Sequence, residues 1–443
     1  MSSQVVNAHP TKRFFIDNFT RDLTLEDVVL DLIDNSIDSF IRLRNVNLTP
    51  DSLPGSKNSF SEEDKAIIEL IVSKDQFIIK DLCGGIEIDH ARNDVFRFGR
   101  TNSSISSALG IYGIGLKRAI FKIGREIKIE SQTKDNGFKV EIDVDKWIDD
   151  DENWTFDLTI GEKAQGLNLA GTVISITRIN PDISTRISDP TFLKRLKEFI
   201  GVSYSLFLNR YVNVKLNGFL IEPTKLPITG SDKISTAVQK FQYDNVYLEL
   251  IAGLSDRKSG WTTENAGWYI VCNGRVVVNA DKTNLTGWGL FGPQYVSKYR
   301  AFLGLAFFFC QDPAKLPWTT TKRGLNVESI VYQKARKEMA AISRPVFTFL
   351  NDMYSNEDVE EVEERRMVET LEPVDLKDIR LKPNTGFTVL MEKPKKSNIV
   401  TVQFRVDKSK IDKIKKRINK PNISAGNAGL YALDYFIKNE CPE

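Results

Sequence analysis

The chain has 443 residues with 61 basic and 59 acidic side chains, so its overall charge indicates no particular partner. Two histidines and four separated cysteines without a CxxC pair argue against zinc sites, a disulfide framework and histidine-based catalysis. We find no signal peptide, and the apolar run at 302–310 is too short to span a bilayer. We therefore expect a cytoplasmic protein of about two to four domains, with no membrane partner.

The first predicted helix covers residues 24–39, TLEDVVLDLIDNSIDS, and begins with a capping box at Thr24. Apolar residues recur on one face at helical spacing, which indicates a buried side. On another face Asp31, Asn35 and Asp38 line up. A carboxylate one turn from a carboxamide can position a water beside a hard cation. A solvated polar face is the alternative interpretation.

A predicted hairpin at residues 66–80 runs directly into the sequence DLCGGI. This places Asp81 at a strand end, ahead of Gly84 and Gly85. A carboxylate there can accept a hydrogen bond from an exocyclic amine such as that of adenine, and the glycines let a flat ligand approach the backbone. Ordinary turns show the same pattern.

A glycine-rich stretch at residues 110–124, GIYGIGLKRAIFKIG, opens an apolar helix. Gly110, Gly113 and Gly115 would let backbone N–H groups surround phosphate oxygens, and Lys117 adds a positive charge. The spacing matches neither the dinucleotide-binding fingerprint nor a Walker A loop.

Strands and helices alternate through the rest of the region that precedes residue 355. Thr172 opens a strand, where its hydroxyl either satisfies the backbone or holds a water against a base. From about residue 190, hairpins, buried strands and a helix predict a second α+β domain. Its loop at residues 316–326, LPWTTTKRGLN, is basic and is expected to face outward with Lys322 at its tip.

The C-terminal region has an uneven charge. Residues 357–375 contain nine acidic and two basic side chains and are predicted to form a linker or a solvated helix, whereas residues 393–420 contain eleven basic and two acidic ones, as phosphate-contacting patches do. A strand predicted at residues 400–406 precedes two helices, the second capped by Ser424. Because one strand and two helices cannot bury a core alone, we expect this segment to dimerise.

Four motifs follow one another in the N-terminal part: DxxDN on a helix, DxxGG after a strand, GxYGxGLK opening a helix, and GT opening a strand. In this order they resemble the GHKL ATPase superfamily, and GIYGIGLK is most similar to its MORC and MutL branch. The resemblance covers about residues 11–180, and a lysine loop extends it to about residue 350. It implies an α+β protein with a Bergerat-type α/β sandwich at 1–185 and a transducer-like α+β domain at 186–355. An acidic linker at 356–392 and a basic strand-helix-helix segment at 393–443 would follow.

The resemblance also implies roles for individual residues. Asn35 would ligate Mg²⁺, Asp81 would bind the adenine amine, and Lys322 would reach the γ-phosphate. The remaining implied ATP-binding residues are Gly85, which lets the base approach, Gly110, Gly113, Gly115 and Lys117 around the phosphates, and Thr172, which supports Asp81 through a water.

Two positions depart from the family pattern. The general-base position, which usually holds Glu, is Asp31, so slow turnover is expected. The first glycine of the family's DxGxG is Cys83, which predicts a displaced loop.

The C-terminal segment resembles ribbon–helix–helix domains, in which strands from two chains pair and enter the DNA major groove. The matching outward residues are Thr401, Gln403 and Arg405, and a plain dimerisation tail is the alternative. Together the resemblances imply a slow, Mg²⁺-dependent ATPase that forms an ATP-stabilised homodimer and acts on DNA or a DNA-bound protein partner. A remodelling chaperone of the heat-shock type, or a nucleotide-sensing DNA-binding regulator with little turnover, are the alternatives.

Overall fold

The computed structural model describes residues 10–46, 60–98, 109–110, 113–150, 152–161, 167–257, 261–355, 368–390, 402 and 405–441. The chain divides into two compact units, residues 1–390 and 391–443. Within the described residues, the helices are too short or too polar to cross a membrane.

Helices and strands are mixed throughout the first unit. Its helices are α1 Lys12–Thr20, α2 Leu25–Leu43, α3 Ile88–His90, α4 Gly115–Ile123, α5 Val144–Asp149, α6 Pro181–Ile187, α7 Phe192–Ser203, α8 Ile330–Ser355 and α9 Leu376–Arg380. Its strands are β1 Ala66–Val72, β2 Phe77–Asp81, β3 Gly124–Gln132, β4 Gly137–Asp143, β5 Leu158–Ile160, β6 Gly171–Ile179, β7 Val212–Leu216, β8 Phe219–Leu220, β9 Thr229–Gly230, β10 Ile234–Ser235, β11 Ala237–Tyr243, β12 Val246–Leu254, β13 Gly267–Cys272, β14 Arg275–Asp281, β15 Phe302–Phe309, β16 Glu372–Pro373 and β17 Thr388–Val389.

The N-terminal sheet has the strand order β5-β4-β3-β6-β2-β1-β7-β8, and all its neighbouring strands are antiparallel except β1 and β7. Burial alternates along β1 and β2, so one face of the sheet is buried. Helix α2 packs against α4, β1 and α7, and α4 also packs against β3 and β6. The result is an α/β layer pair in which α2 faces both the sheet and α4.

Helix α2 confirms the prediction for residues 24–39. The Thr24 side chain accepts from the Asp27 N–H, and the Asp27 carboxylate accepts from the Thr24 N–H, which completes the capping box. The hairpin predicted at 66–80 is confirmed as β1 and β2. The pattern FKVEIDVDKW at residues 138–147 predicts a single strand, but β4 ends at Asp143 and residues 144–149 form α5, which the Asp143 side chain caps.

The second sheet has the order β11-β12-β15-β13-β14. Every residue of β13 and β15 is buried, and β15 is the buried strand that the apolar run at 302–310 predicts. Helix α8 covers β12, β11 and β15. The boundary expected at residue 185 does not separate the two sheets, because β7 lies beyond it and pairs with β1. Strand β7 thereby satisfies the backbone groups along one edge of β1.

Residues 368–390 belong to the segment expected to be an acidic linker, yet they pack on the second sheet. Strands β16 and β17 pair with β9 and β10, and Ile379 of α9 is fully buried. Apolar side chains between the charges explain this, since they bury against the sheet. The most acidic part of the expected linker, residues 357–366, lies outside the described residues.

The second unit contains two described helices, α10 Lys408–Arg417 and α11 Ala425–Glu440. Ser424 caps α11 by accepting from the Asn427 N–H at 3.1 Å, as predicted. The strand predicted at 400–406 falls mostly outside the described residues, so its pairing remains a prediction.

Candidate active site

A cavity of about 380 Å³ opens between α2, α4 and the N-terminal sheet, within the size range of small-molecule pockets. All ten residues that the sequence predicted for the nucleotide site line it: Asp31, Asn35, Asp81, Gly85, Gly110, Gly113, Gly115, Lys117, Thr172 and Lys322. They come from α2, the end of β2, the α4 entry, the start of β6 and a loop after β15. Only the fold could bring these segments together.

Asp81 lies at the carboxyl end of β2 with both oxygens held. Its Oδ1 accepts from the Cys83 N–H at 3.0 Å, and its Oδ2 accepts from the Ser36 hydroxyl at 2.9 Å. Burial raises the pKa of the Asp81 carboxyl, although the hydrogen bonds from Cys83 and Ser36 counteract part of that rise. Ser36 lies on the buried face of α2, and no sequence pattern indicates its contact with Asp81.

A second series of hydrogen bonds supports the backbone next to Asp81. The Thr172 hydroxyl lies 2.9 Å from the Ser131 hydroxyl, which accepts from the Ile86 N–H at 2.9 Å. Gly85 has φ +74°, and a side chain there would place Cβ 2.1 Å from the Gln132 carbonyl oxygen. The Gly85 backbone can therefore run against β3 only because the residue has no Cβ.

The three polar side chains that line up on α2 lie in different environments. Asn35 is exposed to the cavity, whereas Asp31 is buried. The Asp38 carboxylate accepts from the N–H groups of Leu109 and Gly110, at 2.9 and 2.7 Å. Asp38 therefore fastens the glycine-rich stretch to α2, and the Gly110 N–H is already engaged by a carboxylate.

Two more residues of the glycine-rich stretch make close contacts. A Cβ at Gly115 would lie 3.3 Å from the Asp31 carboxyl group, so the absence of a side chain lets α4 begin directly against Asp31. The Lys117 ammonium is buried and donates to the carbonyls of Val95, at 2.8 Å, and Gly113. In this structure Lys117 holds the α4 entry together.

The basic composition of its loop predicts that Lys322 faces outward, and this prediction is wrong. Lys322 is buried in the cavity wall. Its Nζ lies 2.7 Å from Asp34 Oδ2 and 3.5 Å from Asp31 Oδ1. Its backbone has φ +53°, a strained conformation of the kind that clusters at functional sites. The carboxylates of α2 attract the ammonium inward, which composition alone did not show.

Burial and neighbouring charges shift the pKa values of Lys322 and Asp31. Burial would lower the pKa of the Lys322 ammonium, but the Asp34 and Asp31 carboxylates outweigh it and raise that pKa. Burial raises the pKa of the Asp31 carboxyl, and the charge of Asp34 adds to the rise, while Lys322 opposes it. A carboxyl with a raised pKa accepts a proton more readily than an exposed one.

Asp34 and its partners are not among the residues predicted for the site. Asp34 is fully buried, with Oδ1 accepting from the Tyr204 hydroxyl at 2.7 Å and Oδ2 accepting from Arg275 as well as Lys322. Arg275 begins β14 and lies 241 residues from Asp34 in the chain. An aspartate on the apolar side of α2 was the one available signal, and no sequence pattern indicates its partners.

The three residues predicted to contact DNA are a separate set from the nucleotide-site residues. Thr401 and Gln403 lie outside the described residues. Arg405 belongs to the second unit and is exposed.

Residues 23–172 match the family model described as histidine kinase-, DNA gyrase B- and HSP90-like ATPase. The match supports a GHKL-type ATPase domain at these residues. Comparison with curated proteins gave no match. The matched segment contains nine of the ten cavity residues predicted from the sequence, and Lys322 is the one that lies beyond it.

Proposed function

We propose that this protein is an ATP-dependent dimeric clamp that hydrolyses ATP to ADP and phosphate and acts on DNA or a DNA-bound partner. The observation that carries the proposal is the position of Lys322. A loop that follows β15 of the second sheet inserts this ammonium into the cavity of a GHKL-type domain, beside Asp31. A nucleotide-gated switch requires a group from one part of the chain that can sense the terminal phosphate bound in another, and the ammonium of Lys322 is placed to do this.

The cavity residues fit ATP and Mg²⁺. Asp81 is a fixed acceptor for the adenine amine, and the backbone at Gly85 leaves room for a flat base. The exposed Asn35 carboxamide is an oxygen donor for Mg²⁺. Because the described residues contain no group of three or more His, Cys, Asp or Glu suited to a metal, the phosphates would complete the shell, as is usual for Mg²⁺. Bound there, Mg²⁺ would neutralise phosphate charge.

Asp31 is the candidate general base. It lies one helical turn before Asn35 on α2, and its carboxyl is buried beside the α4 entry. In its ionised form it would orient a water and accept the proton as that water attacks the terminal phosphate. Lys322 would neutralise the phosphate charge, which requires its ammonium to move from the carboxylates of α2 toward the ligand.

The coupling role of Lys322 predicts a specific defect. Lys322→Ala is expected to bind ADP normally but to lose ATP-dependent dimerisation, because only the terminal phosphate would contact this side chain. Mass measurement of the full-length variant with ADP and with a non-hydrolysable ATP analogue tests this. Repeating it with duplex DNA tests whether the nucleotide-bound dimer retains DNA.

Lys315→Ala is the matched control, because Lys315 precedes the same loop but pairs with the exposed Asp244 at 3.7 Å. It should dimerise as the unmodified chain does. If Lys322→Ala forms the same dimer with the analogue, the proposed coupling is wrong.

The second unit supports dimerisation independently. Among its described residues only Ile411 and Ala428 are buried. Several large apolar side chains of α11 are about half exposed: Leu430, Tyr431, Leu433, Phe436 and Ile437. Two helices with this much exposed apolar surface favour a partner that covers them. A second copy would do so by pairing strands and completing the core of a ribbon–helix–helix.

The DNA contacts proposed for this segment predict two different defects. Arg405→Ala should relax sequence preference, because Arg reads guanine edges, whereas Lys413→Ala should weaken binding to all sequences about equally, because it would contact phosphate. Binding of the full-length chain to a duplex library at several salt concentrations separates the two. Equal losses on every sequence for both variants would leave only the electrostatic role.

One observation favours a nucleotide sensor as the second candidate. Asp31 is shorter than the glutamate usual at its position, and its carboxylate lies 3.5 Å from the Lys322 ammonium rather than facing only the cavity. A chain that dimerises with ATP but shows no turnover at saturating ATP would be such a sensor.

A further inference from the structure

Four charged side chains that join α2 to the second sheet form a buried group. We call Asp31, Asp34, Arg275 and Lys322 the Asp34 cluster. Its two carboxylates and two cations balance, and none of the four is more than 6% exposed. Asp34 is the centre, since its Oδ2 accepts from both cations and its Oδ1 from the Tyr204 hydroxyl. The hydroxyl and the two cations thus occupy both oxygens of this carboxylate.

The two cations differ in what they can reach. Lys322 lines the cavity, whereas Arg275 does not. Arg275 is fully buried at the start of β14 and lies over the Tyr204 ring, with 5.8 Å between its guanidinium carbon and the ring centroid. Among the described residues its Nε and Nη2 find no hydrogen-bond partner, so Asp34 is its main ligand. Arg275 therefore stays paired with Asp34, while the Lys322 ammonium can also reach into the cavity.

A buried ion pair of this kind is weak evidence for a role in stability. Desolvation offsets much of its attraction, and apolar residues often replace such pairs without loss. Removing one partner, however, leaves an uncompensated buried charge and is costly. Lys322 could not leave a carboxylate that had no other cation, because that carboxylate would then be left alone in the protein interior.

We infer that Arg275 is a positioning residue for Lys322: by keeping Asp34 ion-paired, it allows the Lys322 ammonium to move from Asp34 to the terminal phosphate. This rests on the proposed function. The loop can remain docked during the exchange, because the neighbouring Arg323 is bound independently to Thr24 Oγ1 at 2.7 Å and Asp27 Oδ1 at 3.0 Å. Only the Lys322 side chain has to move.

The measured quantity is the preference for a non-hydrolysable ATP analogue over ADP, as the ratio of their Kd values for the full-length chain. Arg275→Met makes Lys322 the only cation on Asp34, so the preference should fall by about tenfold, within the usual range of coupling between sites, while ADP binding is unchanged. Adding Asp34→Asn to Arg275→Met removes the carboxylate that retains Lys322. The double variant should recover the preference, which a purely structural role of Arg275 would not produce.

Arg380→Met is the matched control. Arg380 is also a buried arginine paired with a buried carboxylate, at 2.8 Å from Glu249, but it does not line the cavity. It should cost stability without changing the preference. If Arg275→Met does not fold, Arg275→Gln carries the same test, since it keeps a donor for Asp34 but not the charge.

Two failures are distinguishable. If Lys322→Ala loses the preference but the Arg275 variants keep it, the inference about Arg275 is overturned and the proposed function stands. If Lys322→Ala keeps the preference, the proposed contact between Lys322 and the phosphate fails, and the role of Arg275 fails with it.

Discussion

Asp31→Asn is expected to bind ATP and to hydrolyse it about 10²–10⁴-fold more slowly, the usual contribution of a positioned general base. The carboxamide keeps the size of the side chain against Gly115 but cannot accept the proton of the attacking water. Lys322 retains its closer partner, Asp34 at 2.7 Å, so the cavity wall should stay in place. Single-turnover phosphate release at saturating ATP measures the loss.

The pH dependence of turnover gives a second measurement on the same residue. Because burial raises the pKa of Asp31 above its ordinary 3.8, Asp31 takes up its proton at a higher pH than an exposed aspartate as the pH falls. Turnover at saturating ATP should therefore decline as the pH drops through this raised value, and the residual rate of Asp31→Asn should lack that decline. Asp22→Asn, at an exposed site before α2, should keep the full rate and the full profile. An unchanged rate in Asp31→Asn would remove Asp31 from the mechanism.

Asp81→Asn is expected to bind ATP much more weakly than the unmodified chain. Asp81 is the proposed acceptor for the adenine amine, and a hydrogen bond to a charged group contributes about 1.5–3 kcal/mol, or roughly 10–100-fold in affinity. The carboxamide can in addition turn its own donor toward the amine, which leaves two donors facing each other. Isothermal titration with ATP analogue and ADP should show both affinities falling together, since both carry the base.

The fold of the Asp81→Asn variant should survive, because the carboxamide oxygen can still accept from the Cys83 N–H, and the Ser36 hydroxyl can accept as well as donate. A nucleotide whose base presents a carbonyl in place of the amine, such as inosine triphosphate, should bind Asp81→Asn better than ATP does. Asp75→Asn, in the exposed turn before β2, is the control. Unchanged affinity for ATP in Asp81→Asn would mean that the base binds elsewhere.

Local patterns were sufficient to predict the main elements and the candidate residues of the N-terminal domain. The capping box and apolar period of α2, the hairpin before Asp81 and the glycines before α4 each depend on residues close together in the chain. Physical effects of this kind can be read from sequence because capping, helical periodicity and turn preferences operate over a few residues. Where a local signal was ambiguous the prediction differed from the structure, as at α5 and at the packed part of the expected linker.

Sequence patterns alone establish which residue types are available at the cavity and the order in which they occur. The inward direction of Lys322, the fastening of the α4 entry by Asp38 and the pairing of Asp34 with Arg275 follow from the three-dimensional fold. These outcomes depend on burial and on contacts between residues that lie 71 to 288 positions apart in the chain. The energy of a buried charge is set by the partners that surround it in space, and a linear pattern carries no information about that surrounding.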